Sequence, residues 1–129
     1  MTVGLCRVWL RLPQNHSLKD KRQVVKSLIA RLHNKFNVAV AEVDDHDRWQ
    51  MVSLGISCVT TSEGHAHQVM SSVVAFIRHE RPDAEMVDYR TEIVHALSEG
   101  LFEVVIPATW TQKWVFVVVV VAIANPAPA

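Results

Sequence analysis

The sequence predicts an α+β fold, a four-stranded antiparallel sheet with two helices on one of its faces. Three observations carry the prediction. The hydrophobic period alternates between 2 and 3.6 in the order strand, helix, strand, strand, helix, strand over about one hundred residues. Each helical segment opens on a capping signal. A short connection that contains the turn DDHD, Asp44 to Asp47, separates the second strand from the third, which is hairpin spacing.

The first segment, VGLCRVWLRL from Val3 to Leu12, alternates strictly. Cys6, Val8, Leu10 and Leu12 lie on one face, and Leu5, Arg7, Trp9 and Arg11 on the other. Pro13 and Asn15 end it. Ser17, followed three residues later by Asp20, is a helix-entry pattern in which a side-chain oxygen caps free backbone amides. Leu18, Val25, Leu28, Ile29, Leu32 and Phe36 then recur at helical spacing as the buried face.

VAVAEV, Val38 to Val43, reads as the second strand. It offers apolar residues to both faces, so its register, and with it the side taken by Glu42, stays open. WQMVSLGISCVT, Trp49 to Thr60, is the third, with Val52, Leu54, Ile56 and Cys58 on one face and Trp49, Met51, Ser53 and Ser57 on the other. TSEGH opens the second helix with Thr61 or Ser62 as cap, and Val69, Val73, Val74, Phe76 and Ile77 form its apolar side before Pro82 stops it. AEMVDYRTEIV, Ala84 to Val94, is the fourth strand. The order is that of a ferredoxin-like βαββαβ sandwich.

At 129 residues the chain accommodates one domain with a real core. We divide it into a domain at residues 1–97 and a C-terminal extension at 98–129, where aromatics and valines follow no amphipathic pattern before the ending NPAPA. An extra strand with a disordered end is expected there. Its most apolar run, WVFVVVVVAIA from Trp114 to Ala124, falls short of the roughly 20 residues that span a bilayer. No membrane association is therefore expected. The N-terminus lacks the pattern of a secretory signal, and Cys6 and Cys58 lie in apolar runs without metal-site spacing. A cytoplasmic protein with reduced, buried thiols is the expectation.

Thirteen basic and thirteen acidic residues balance, which excludes a protein coated in positive charge, so any anion-binding surface is local. Four glycines leave little material for a phosphate-cradling loop, and no nucleophile with a flanking base is found. No catalytic set, metal site or cofactor is assigned. A DNA sequence reader is not expected.

Two surfaces stand out. Lys19, Arg22, Lys26 and His33 fall within one narrow sector of the first helix, and Lys19, Lys21 and Arg22 sit in its N-terminal turn, where the helix dipole favours acids; Lys19, Lys21, Arg22 and Lys26 are the candidate cation set. Such cations neutralise phosphates, and they also serve as ordinary solubilising residues. Arg7, Trp9 and Arg11 of the first strand, beside Trp49 and Met51 of the third, form an aromatic and cationic patch on the open sheet face. It suits a dimer interface, stacked bases or an ordinary solvated sheet face. The turn residues Asp44, His46 and Asp47 offer metal-ligand chemistry, against the simpler account that aspartates favour turns for backbone reasons.

The run Ser17, Leu18, Lys19, Lys21, Arg22, then Phe36, Asn37, Ala41, Glu42, Val43, then Asp47, Trp49 and Gln50 resembles the bacterial YlxP-like proteins, a domain of unknown function. The resemblance covers roughly residues 1–97 and implies a ferredoxin-like fold. It implies a link to RNA or ribosomes, because the genes of that family often sit among those for translation and ribosome maturation. It supplies no catalytic residues, and the segment after Glu99 departs from its pattern. The expected function is that of a non-enzymatic accessory protein that binds RNA or a ribosomal particle through Lys19, Lys21, Arg22 and Lys26. The alternative is a homo-oligomeric structural or small-ligand module using the open sheet face. A metal-dependent enzyme built on Asp44, His46 and Asp47 is the third.

Overall fold

A computed structural model of the chain describes residues 1–97. The expected C-terminal extension, 98–129, and its extra strand lie outside the described residues. The elements follow in the expected order: β1 (Thr2–Arg11), α1 (Leu18–Lys35), β2 (Ala39–Asp44), β3 (Met51–Thr60), α2 (Glu63–Glu80) and β4 (Glu85–His95). They form one antiparallel sheet in the order β2-β3-β1-β4, the ferredoxin-like arrangement.

Both helix entries are made as their side chains dictate. The Ser17 hydroxyl accepts the Asp20 backbone N–H at 3.1 Å, and Ser62 accepts that of His65 at 3.1 Å. Alternation sets the layers. Cys6, Val8, Leu10, Val52, Leu54, Ile56 and Cys58 are buried against the helices, which contribute Val25, Leu28 and Leu32 from α1 and Ala66, Met70, Val73, Val74 and Ile77 from α2. Phe36 meets Phe76 edge to face at 5.5 Å, and Arg31 pairs with Glu80 at 2.8 Å, which ties the end of α1 to α2. Both cysteines are free and buried, and burial pushes the Cys6 thiol up to about 11.

The expected and observed strand ends differ in a way that matters for the site. β3 begins at Met51, so Trp49 and Gln50 belong to the β2–β3 connection. β2 carries a bulge between Glu42 and Asp44, with Glu42 opposite Leu54 and Asp44 opposite Ser53. Glu42 therefore shares the helix-side face with buried Leu54, which resolves the register that alternation left open. Val43, the extra residue, lies over Gly55 on the open face. A Cβ at position 55 would come within 2.8 Å of the Val43 side chain, so the close approach needs glycine there. Among the described residues, no helix is long and apolar enough to cross a membrane.

Candidate anion-binding face

α1 carries six lysines and arginines and one acid, Asp20. At 100° per residue, Lys21, Val25, Leu28 and Leu32 mark the buried stripe. Arg22, His33, Lys26 and Lys19 form an exposed stripe on one flank of it. Arg31 and Lys35 lie on the other flank, towards α2. The exposed stripe faces β2: Arg22, Val25, Lys26 and Ile29 line a shallow recess of about 290 Å³ together with Glu42.

What distinguishes these cations is the lack of counter-charges. Among the described residues, every arginine outside α1 is engaged. Arg7, Arg11, Arg48, Arg81 and Arg90 lie within 4 Å of a carboxylate, and Arg78 lies over the Tyr89 ring. On α1, Arg31 pairs with Glu80 and Lys21 with Glu42. Apart from Arg78, the lysines and arginines left without a carboxylate among the described residues are Lys19, Arg22, Lys26 and Lys35, all exposed and all on α1. Lys19, Arg22 and Lys26 span only about 10 Å of helix axis, so their fields add over a distance comparable to the screening length of physiological salt.

Lys21 corrects the expected set of four. Its side chain is 1 % exposed. The ammonium donates to the Asp45 carbonyl oxygen and lies 3.7 Å from the Glu42 carboxylate. Asp45 presents that carbonyl from a left-handed backbone conformation (φ 59°), which aspartate tolerates better than most residues. Lys21 therefore anchors α1 to the β2–β3 connection, and a phosphate has no access to it. A signal for this lay in the spacing: Lys21 stands four residues before Val25 and eleven before Leu32, on the buried stripe itself.

The five residues expected together on the sheet face separate into two groups. Trp9 is half-buried, with the Arg7 guanidinium 4.8 Å from its ring centroid. Arg7 in turn donates to Ser53 at 3.1 Å and pairs with Asp44 at 3.3 Å. The Trp9 face is thus already covered by a cation. Arg11, opposite Met51 in the ladder, instead gathers with Trp49 at the end of the molecule where α1 begins.

The turn residues do not converge either. Asp44 accepts the Asp45 backbone N–H at 2.8 Å and the Arg7 guanidinium, and these contacts, the backbone bond foremost, hold its carboxyl below the usual carboxylate range. His46 turns its Nε2 to the Glu42 carbonyl oxygen at 3.1 Å, and Asp47 is exposed. No group of three histidine, cysteine, aspartate or glutamate side chains among the described residues is placed to hold a metal.

Comparison with known proteins places these observations in a family context. The family model described as "Protein of unknown function (DUF503)" matches residues 3–91. The uncharacterized protein YlxP of Bacillus subtilis (strain 168) is 41 % identical over 76 residues, which cover 59 % of this chain and 82 % of that protein. Among solved structures, the de novo designed protein Foldit4 is 13 % identical with a TM-score of 0.45, covering 71 % of this chain and 97 % of its own. LFR1 1, a de novo designed protein with ferredoxin fold, is 16 % identical with a TM-score of 0.44, covering 78 % and 90 %.

Proposed function

This chain belongs to the DUF503 family of proteins of unknown function, and we propose that it binds RNA or a ribosomal particle through the exposed cations of α1. The observation that carries the reading is that, among the described residues, the lysines and arginines without a carboxylate are confined to that helix, apart from Arg78 over its tyrosine. In a chain of zero formal net charge, unneutralised cations gathered on one stripe make a local anion-binding surface. The binding set is Lys19, Arg22 and Lys26. Phosphates held there displace counterions, so affinity falls with salt.

The test is cosedimentation of the protein with ribosomal particles and with RNA across a salt series, beside a Lys19→Ala/Arg22→Ala/Lys26→Ala variant whose fold is checked by circular dichroism. Three phosphate contacts give a slope of log affinity on log salt near −2 to −3. The variant is expected to lose most of that slope. Binding unchanged in a folded variant overturns the reading.

One observation favours a second reading, self-association through the open sheet face. Leu5, Val43 and Val59 expose 37 %, 47 % and 68 % of their surface there, around a small-residue floor at Ala39, Ala41 and Gly55. Apolar patches of this kind are commonly covered by a partner.

A further inference from the structure

At the end of the molecule where α1 begins, a recess of about 830 Å³ is lined by Arg11, Leu18, Asp47, Arg48, Trp49 and Met51, with Gln50 beside them. Its size falls in the range of about 300–1,000 Å³ typical of small-ligand clefts. Trp49, a residue that hydrophobicity alone would bury, is 49 % exposed on it.

The indole is held out from a fixed backbone. The Leu12 N–H donates to the Gln50 carbonyl at 2.7 Å, the Asn15 side-chain amide donates to the Trp49 carbonyl at 3.4 Å, and the Gln50 amide nitrogen donates to the Asn15 carbonyl at 3.4 Å. These three bonds join the β1–α1 loop to Trp49 and Gln50 in the β2–β3 connection. Lys21, donating to the Asp45 carbonyl, adds a fourth tie from the helix. A ring held in place in advance loses little freedom when something stacks on it. Unlike Trp9, it has no protein cation over its face among the described residues.

The polar walls suit a planar, hydrogen-bonding guest. The Gln50 oxygen is left free by the contact its nitrogen makes, and the exposed Asp47 carboxylate supplies a second acceptor. Leu18, one wall of the recess, immediately precedes Lys19 and lies one helical turn before Arg22. A strand whose phosphates run along the α1 stripe thus reaches the recess at the N-terminal end of that stripe.

We propose that this recess takes an unpaired nucleobase, stacked on Trp49, from a single-stranded RNA whose backbone lies on Lys19, Arg22 and Lys26. The inference rests on the RNA-binding reading and deepens it: recognition falls on single-stranded segments rather than on duplex, because a base can reach the ring only when it is splayed from its stack.

The experiment measures binding of the full chain to three labelled probes: a 12-nucleotide single-stranded RNA, the same sequence as a duplex, and the same length of abasic ribose–phosphate. The wild type is expected to prefer the single strand to both others. Trp49→Ala is expected to lower single-strand affinity about 5- to 150-fold with the salt slope unchanged, and Trp49→Phe to restore much of it. Equal affinity of the wild type for all three probes overturns the base site and leaves the cationic reading intact. So does a folded Trp49→Ala that binds the single strand as the wild type does. Loss of binding in Trp49→Ala to all three probes assigns Trp49 to holding the α1 end rather than to stacking, and also overturns it. Absence of binding by the wild type at low salt overturns both readings.

Discussion

Lys21 has its ammonium inside the protein, and its neighbours explain why the charge is tolerated. Glu42 supplies the opposite charge and Asp45 a carbonyl acceptor, while the rest of the side chain lies along the buried stripe of α1. Removing the ammonium leaves the Asp45 carbonyl without its donor and Glu42, 16 % exposed, without its partner. Lys21→Met is expected to destabilise the protein by about 2–3 kcal/mol in urea unfolding, below the full 3–5 of a wholly buried pair because Glu42 keeps some water. Adding Glu42→Gln to Lys21→Met is expected to recover part of the loss. The salt slope of RNA binding measured on folded Lys21→Met is expected to stay that of the wild type, since the residue faces no phosphate. A reduced slope would return Lys21 to the binding set.

At the scale of the element, α1 serves two purposes with two faces. Its buried stripe docks on the sheet, and its exposed stripe concentrates positive charge beside β2. The cations of its first turns oppose the helix dipole, with Asp20 the only acid there. The Ser17 cap is correspondingly important at this end. Ser17→Ala is expected to cost about 1 kcal/mol in thermal or urea unfolding. Because Leu18, next to the cap, lines the recess beside Trp49, fraying of this turn is also expected to weaken single-strand binding more than duplex binding. The helix and its cap were legible from Ser17, Asp20 and the apolar spacing. The mistake over Lys21 came from treating residues adjacent in sequence as adjacent in space. On a helix Lys21 and Arg22 point 100° apart, which separates a core position from a solvent-facing one.

For the whole molecule, the open sheet face decides whether one copy suffices. Its ion pairs, Arg7 with Asp44 and Arg11 with Glu85, leave both signs of charge on the face. A second copy of the same face therefore meets no single-sign repulsion. Sedimentation equilibrium of the full chain tests self-association directly. A dimer that Leu5→Glu/Val59→Glu converts to a monomer supports the second reading, and a wild-type monomer at high protein concentration rejects it. The α1 stripe lies off this sheet face, so dimerisation by this route and RNA binding by α1 are compatible.

The order of elements, both N-caps, the burial of one face of β1 and β3, and the clustering of basic residues on α1 were all determined by the sequence alone. Each of these follows from a local period or from a side chain bonding its own backbone a few residues away. The tertiary structure decided the rest. The register of β2 on β3 set Glu42 opposite Leu54 and inward to meet Lys21, and the bulge at Val43 put Asp44 opposite Ser53 on the open face, where it meets Arg7. The stitching of the β1–α1 loop to the β2–β3 connection carried Trp49 off the sheet and set it beside the start of α1, and Arg7 covered Trp9. Apart from the Arg7–Trp9 neighbours on one strand face, these contacts join residues roughly 20 to 40 positions apart. No periodicity encodes them, because they depend on how the finished elements pack.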